Sequence, residues 1–171
     1  MTLQPSALEQ QIALCDTQRQ RTWLSHFDSR DAWALGNSLY QAALQAGYPM
    51  AIDITVNRSC LFSALLPGAS GENIDWVRRK RNLVDLLGIS SWEAGLMLEQ
   101  RQTTLEARYG VSPRDYAPFG GSYPLQLTGC GMIGTVTVSG APQRDDHNLV
   151  VRTLWAAAGQ PLAEWQPVAP R

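Results

Sequence analysis

The stretch between residues 47 and 68 constrains the fold more than any other part of the chain. Residues 50–56 alternate in side-chain character with the period of two that is typical of a β-strand. A tight turn at residues 57–59 follows, and residues 60–66 form a second strand that a Pro-Gly pair ends. The pattern therefore predicts a β-hairpin, and the sheet that contains it is antiparallel at this point.

Helical periodicity flanks the hairpin on both sides. Helices are predicted over about residues 5–18, 28–46, 74–87, 92–102 and 143–158, and further strands over 22–27, 125–127 and 131–139. Short connections favour an antiparallel sheet, and the helices before and after it must cover its faces. We therefore expect an α+β fold with three layers, α-β-α, around a central antiparallel sheet.

Length and charge restrict the classes of protein and partner. The 171 residues suit a single domain, with a core over about 6–158 and a proline-rich tail over about 159–171. A net charge of −1 provides no basic field for nucleic acid or an anionic membrane. The charged fraction of 17% is low for a compact domain and hints at surface buried between subunits.

The same composition favours a cytoplasmic protein. No run of about 18 apolar residues occurs that could cross a bilayer, and residues 1–10 lack the pattern of a secretion signal. Three scattered cysteines without a CxxC pair fit a reducing compartment. We expect no membrane partner and no nucleic-acid partner.

Four consecutive cations, residues 78–81, are the strongest local feature of the chain. Consecutive helical residues point about 100° apart, so an apolar stripe on this helix draws at least one cation, with Arg81 nearest, towards the interior or an interface. One interpretation is a solvated face with ion pairs to neighbouring acids. The other is an anion site in which Arg78, Arg79 and Lys80 hold a carboxylate or a phosphate.

A second candidate is the segment 119–124, in which Gly120 and Gly121 are adjacent. Two glycines let the backbone bend sharply and leave its N–H groups accessible. Phe119 and Tyr123 on either side could form walls for a flat ligand. The alternative is a simple turn before a strand.

A third candidate lies where a strand ends and the last helix begins. Asp146 and His147 could serve as an acid/base pair, or His147 could be a helix-start histidine that is hydrogen-bonded to backbone. Asp53 stands between isoleucines in mid-strand and faces away from their side. We expect it to face a ligand-binding surface and to pair with a helix cation there, and the alternative is an exposed face of the sheet. Two histidines and three scattered cysteines make a structural zinc site improbable, and we expect no metal site.

Taken in order, these segments resemble the haem-degrading-domain superfamily, which includes GlcG, HbpS and the PduO C-terminal domain. More closely they resemble its small cytosolic branch of bacteria and fungi, whose function is unassigned. The resemblance rests on Asp31-Ala32, Leu35-Gly36, Ala51 to Ile54, Phe62, Pro67-Gly68, Asn73, Trp76, Arg78 to Lys80, Gly120 to Pro124, Gly134 to Gly140, and Asp146-His147. It implies a profilin-like fold and a homo-oligomer, and some relatives bind haem or corrinoids.

Three functions stay open at this point. The first is an oligomeric ligand-binding domain, in which the three cations and the backbone of Gly120, Gly121 and Ser122 hold haem, another anionic tetrapyrrole or a small acid. In this hypothesis His147 also belongs to the binding site and is the candidate axial ligand if haem binds. The second is an enzyme that uses Asp146 and His147 on a small carboxylic acid, which is the weaker hypothesis because no nucleophile or cofactor loop accompanies them. The third is a purely structural oligomer. The first requires three distant segments to meet in one cationic hollow.

Overall fold

The computed structural model describes residues 6–170. Its helices are α1 (Ala7–Arg21), α2 (Ser29–Ala46), α3 (Gly71–Leu87), α4 (Ser91–Gln100), α5 (Leu105–Tyr109) and α6 (Gln143–Ala157). Its strands are β1 (Ala51–Val56), β2 (Ser59–Leu65), β3 (Ser122–Leu127) and β4 (Gly131–Ser139). They form a single antiparallel sheet in the order β2-β1-β4-β3. The predicted α+β fold is confirmed.

The two faces of the sheet differ in polarity. Alternate residues of β1 and β4, including Ile52, Ile54, Val136 and Val138, face α2 and α6 and form the main core. The opposite face lies under α3, with α4 beside it, and most of its buried side chains are polar: Asp53, Ser122, Thr135, Thr137 and Ser139. The two helical layers are therefore held on the sheet differently: α2 and α6 by apolar packing, and α3 and α4 partly by hydrogen bonds.

The two edges of the sheet are not equally covered. At the β3 edge, the Leu24 N–H donates to the Gln126 carbonyl and the Thr128 N–H donates to the Leu24 carbonyl, each at 2.9 Å. The strand predicted over residues 22–27 is reduced to this one bridge. At the β2 edge, no backbone segment within residues 6–170 pairs with the outer side of the strand.

The C-terminal tail packs on the body of the domain. The side-chain amide of Asn148 accepts from the Val168 N–H at 2.9 Å, and Val168 is buried against α1 and α4. Trp165 stacks edge to face on Trp155. Among residues 6–170, no helix has the length and apolar character needed to cross a membrane.

Candidate functional site

Three segments that are far apart in sequence meet around a cavity of about 370 Å³, which we call the Trp76 cavity. They are α3, the loop before β3, and the turn from β4 into α6. The lining residues are Glu72, Asn73, Trp76, Lys80, Phe119, Ser139, Gly140, Ala141, Gln143 and Asp146.

A buried ion pair forms the floor of the Trp76 cavity. The Lys80 ammonium lies 2.9 Å from the Asp146 carboxylate and also donates to the Val138 carbonyl and the Ser139 hydroxyl, each at 3.3 Å. Burial lowers the pKa of Lys80 and raises that of Asp146, and the attraction between the two charges offsets part of both effects. The pair therefore brings no net charge to the cavity.

The start of α6 explains why a carboxylate lies at this point. Asp146 is in the first turn of the helix, where the helix dipole favours a negative charge. Its two oxygens accept from the Ala141 N–H at 3.0 Å and the Gly140 N–H at 3.4 Å. The carboxylate thus fixes the turn between β4 and α6 as well as Lys80.

Two aromatic rings stand at the mouth of the cavity. The centroids of Trp76 and Phe119 are 5.7 Å apart with the planes at 82°, and Phe119 is 41% exposed. Sequence analysis singled out Phe119 but assigned no site role to Trp76, Asn73 or Gln143. For two of them the spacing on α3 could have indicated a site role, because Trp76 and Asn73 lie four and seven residues before Lys80 and so share its helix face.

Arg78 and Arg79 do not line the cavity. Arg78 pairs with Asp75 at 2.9 Å and with Asp115 at 2.8 Å, and Arg79 donates to the Pro113 carbonyl at 2.6 Å. Both guanidinium groups fasten the 113–115 loop to α3. The Arg79 guanidinium also lies over the Trp76 ring, 4.2 Å from its centroid, so it contacts a wall of the cavity without lining it. The expected cluster of three cations around one ligand therefore does not form, and Lys80 is the one cation among the lining residues.

Asp53 and Arg81 form a separate pair on the same side of the sheet. The Arg81 guanidinium lies 3.2 Å from the Asp53 carboxylate, which also accepts from the Thr55 hydroxyl at 2.8 Å. Asp53 thus pairs with a helix cation, one of the two alternatives, and it does not line the Trp76 cavity.

Gly120 and Gly121 permit close packing under the site. The Gly120 N–H donates to the Gln143 side chain at 3.2 Å, so it is not directed at a ligand. Gly121 has φ +132°, and a Cβ atom there would lie 2.4 Å from the Val138 carbonyl oxygen and 2.8 Å from the Lys80 Nζ. The glycine pair therefore lets the loop cross over Lys80, which a larger residue would prevent.

Ser122 and Tyr123 are buried behind the loop. The Ser122 N–H donates to the Ser91 hydroxyl at 3.0 Å, and its own hydroxyl shares a 2.7 Å hydrogen bond with that of Thr137. The Tyr123 hydroxyl lies 3.4 Å from that of Thr22, and burial raises the pKa of Tyr123. Neither side chain lines the cavity.

His147 lies in the core and not in a cleft. Its Nε2 is 3.1 Å from the Gln18 side-chain oxygen, and the rings of Trp92 and Tyr123 enclose it. Burial lowers the pKa of His147 to about 3. Because Asp146 and His147 follow one another on α6 and point about 100° apart, they face different partners and form no acid/base pair.

A larger cleft of about 620 Å³ lies elsewhere, between α2, the end of α6 and the segment 23–27. We call it the His26 cleft. The exposed imidazole of His26 lies at its lip, with Nε2 3.3 Å from the Asp31 carboxylate. No role for His26 was predicted from the sequence, because an isolated histidine carries no spacing signal.

The fold and the cavity define a three-layer α+β domain with one compact polar site under two aromatic rings. A sequence model described as haem degrading protein HbpS-like matches residues 27–154, and the chain belongs to that family. The resemblance stated from the sequence is thereby confirmed.

Individual relatives agree with this assignment. A UPF0303 protein of Yersinia pseudotuberculosis serotype O:3 (strain YPIII) is 52% identical over 163 residues, 95% of each chain. The crystal structure of Ybr137w protein superposes with a TM-score of 0.80 at 29% identity, over 86% of this chain and 87% of that one. The PduOC:Heme complex has a TM-score of 0.64 at 19% identity, over 77% and 94% of the two chains, and shares the fold.

The Trp76 cavity does not fit an axially coordinated haem. Haem iron is held by histidine, cysteine, methionine or tyrosine side chains, and none of these is among the lining residues of this cavity. The Lys80 Nζ already donates hydrogen bonds to three oxygens and is not free to bind iron. Of the two imidazoles, His147 is enclosed and His26 lies at the other cleft.

Proposed function

We propose that the protein is an oligomeric domain that binds a small ligand in the Trp76 cavity. The aromatic pair at the mouth carries the proposal. Phe119 leaves 41% of its surface in water although it is a large apolar side chain, and covering such a ring stabilises a complex. A flat ligand that contacts Trp76 and Phe119 gains this energy and reaches the polar floor.

Size and charge narrow the class of ligand. A volume of about 370 Å³ is at the lower end of ligand pockets, which suits one or two fused rings. Asp146 neutralises Lys80, and the negative charge of Glu72 is balanced by Arg79, whose guanidinium lies 4.2 Å from the centroid of the Trp76 ring. These charges favour an uncharged ring compound with hydrogen-bonding groups over a polyanion such as a tetrapyrrole dicarboxylate.

The experiment uses three one- or two-ring probes, nicotinamide, indole and benzoate, with saturation-transfer NMR on the wild-type protein. We expect nicotinamide or indole to bind better than benzoate, and Trp76→Ala to weaken binding at least tenfold. The control is Trp33→Ala, because Trp33 also meets a phenylalanine edge to face, at 5.9 Å, but lies outside the cavity. Equal losses in both variants, or binding by none of the probes at millimolar concentration, would contradict the proposal.

Hemin and metal-free protoporphyrin IX provide the family-level comparison. The family description includes haem, and the PduOC complex contains it. If both tetrapyrroles displace the bound ring compound from wild-type protein, the ligand is a tetrapyrrole whose edge enters the Trp76 cavity. A sharp Soret band that His26→Ala abolishes and Trp76→Ala leaves unchanged would instead move the ligand to the His26 cleft and overturn our assignment.

A further inference from the structure

We propose that the His26 cleft is a second binding site, which takes a protonated amine with an apolar body. This site is separate from the Trp76 cavity, and it does not depend on the function proposed for that cavity. The cleft has a volume of about 620 Å³, which is within the usual range of sites that bind small molecules. Its lining comes from the segment 23–27, the first half of α2, the end of α6 and Thr128.

The charges around the His26 cleft favour a cation. Within residues 6–170, the lining contains the carboxylate of Asp31 and neither a lysine nor an arginine. The nearby Arg30 pairs with Asp28 at 2.9 Å, and the side chains of Asp28 and Asp31 already cap the positive start of α2. The negative end of the α6 dipole also reaches the cleft, because Ala156 and Ala157 belong to the last turn of that helix.

Two hydroxyl groups of the cleft can act only as acceptors towards a ligand. The Ser38 hydroxyl donates to the Ala34 carbonyl at 3.0 Å, and the Thr153 hydroxyl donates to the Leu149 carbonyl at 2.8 Å. A hydroxyl group has one proton, so each of these oxygens has only lone pairs left for a bound molecule. An ammonium group, which has three donors and no acceptor, is complementary to such oxygens.

Asp31 supplies the charged acceptor at the lip of the cleft. Its Oδ2 accepts from the Asp28 N–H at 2.8 Å and lies 3.3 Å from the His26 Nε2. In the described part of the chain both contacts use Oδ2, which leaves Oδ1 for an ammonium donor. A neutral imidazole with its proton on Nε2, the nitrogen that faces Asp31, keeps Nδ1 as a further acceptor.

The remaining lining suits an apolar body. Leu24 and Leu35 are buried side chains that line the cleft, and Trp23 and Phe27 supply two aromatic rings. Aromatic rings cover apolar surface and also attract ammonium groups through the negative charge of their faces. A ring joined by a short chain to a protonated amine therefore matches both the apolar lining and the acceptors. We infer that the ligand class is an arylalkylamine.

Three probes of similar shape and different charge test this inference at pH 7. They are 2-phenylethylamine, which is a cation, 2-phenylethanol, which is uncharged, and 3-phenylpropionate, which is an anion. Titration of the wild-type protein followed by NMR chemical shifts gives the dissociation constants. We expect the amine to bind at least tenfold more tightly than the alcohol, and the anion to bind more weakly than either.

Asp31→Asn removes the charge and keeps a side-chain oxygen for the Asp28 N–H. It should therefore abolish the preference for the amine over the alcohol. Glu9→Gln is the matched control, because Glu9 has the same capping role at the start of α1, accepts from the Ser6 N–H at 2.7 Å and lies outside the cleft. This control should keep the wild-type preference.

A steric variant keeps the test independent of the charge. Ala34 is exposed and lines the cleft, so Ala34→Leu should weaken binding of the amine and the alcohol alike at least tenfold, and circular dichroism confirms that each variant is folded. No binding of the amine at millimolar concentration, or a preference for the amine that survives in folded Asp31→Asn, would overturn the inference. Amine binding that Trp76→Ala abolishes would place the probe in the Trp76 cavity and overturn it too. Nicotinamide or indole, titrated into the same samples, reports on the Trp76 cavity separately.

Discussion

Replacing Lys80 by methionine tests whether the floor of the Trp76 cavity is held by a true buried ion pair. Methionine keeps an unbranched side chain of similar length and removes the ammonium. The Asp146 carboxylate then remains buried with only the N–H groups of Gly140 and Ala141 as partners. Removal of one member of a buried pair costs about 3–5 kcal/mol of the free energy of unfolding.

Protonation sets an upper bound on this loss in the free energy of unfolding, because the variant can bind a proton at Asp146 instead of burying a charge. The ordinary pKa of this carboxyl is 3.8, and burial raises it in the folded state. Each pH unit above 3.8 costs about 1.4 kcal/mol for a carboxyl that stays protonated, so the roughly three units up to pH 7 amount to about 4 kcal/mol. Below pH 3.8 both states are protonated and this cost vanishes.

The sign of the pH dependence is therefore fixed. Relative to the wild type, Lys80→Met should be about 4 kcal/mol less stable at pH 7, and the difference should shrink steadily towards pH 4. Urea unfolding followed by circular dichroism at several pH values measures it. Asp146→Asn added to Lys80→Met should recover most of the loss at pH 7. Arg78→Met, which breaks exposed pairs, should cost less than about 1 kcal/mol. A loss below about 1 kcal/mol at pH 7 in Lys80→Met, or one independent of pH, would refute this reasoning.

Two other perturbations give separate checks. Burial lowers the pKa of His147 from 6.5 to about 3, so the unfolded chain binds a proton at a higher pH than the folded protein does, and stability should fall as the pH drops from about 6.5 towards 3. His147→Gln should remove this contribution, which urea unfolding at pH 6.5 and 4.5 measures. An unaltered pH dependence in this variant would contradict the prediction. Gly121→Ala should cost more than about 2 kcal/mol in thermal unfolding, since its Cβ would lie 2.4 Å from a carbonyl oxygen. Gly129 has φ +80°, and no heavy atom lies within 4 Å of a Cβ built there. Gly129→Ala should therefore cost only about 1 kcal/mol of the free energy of unfolding. Equal costs would argue against the close approach.

The sheet could be predicted from the sequence because its signals are local. The alternation over residues 50–56, the turn and the second strand lie within one short stretch, and the structure pairs them as a hairpin. The segment 22–27 shows the limit of this reasoning. Its loose alternation resembles a strand, but only Leu24 forms a bridge to the sheet, and α2 already begins at Ser29. The short helix α5 was missed since five residues give no measurable period.

Prediction of the site failed where the decisive partner was distant in sequence. The apolar stripe on α3 required one of the four cations to turn inward, and Lys80 does so because it lies three residues after Val77 and four before Val84. The sequence analysis placed Arg81 nearest to this stripe. The carboxylate that pairs with the buried Lys80 belongs to Asp146, 66 residues away, and no local pattern indicates that pairing.

The same pairing decides what the three converging segments can bind. The three segments do meet at one cavity, as the first hypothesis required, but the acidic start of α6 enters it together with Lys80. Arg78 fastens the 113–115 loop, and Arg79 holds the same loop while its guanidinium covers the Trp76 ring. A hollow expected to be cationic is thereby neutral at its floor. The fold of this chain depends on backbone approaches such as that of Gly121 over Lys80, whereas the ligand that we propose would contact only a few side chains of the Trp76 cavity. Membership in the HbpS-like family therefore fixes the architecture of this chain, whereas the class of ligand that we propose follows from Trp76, Phe119 and the Lys80–Asp146 pair.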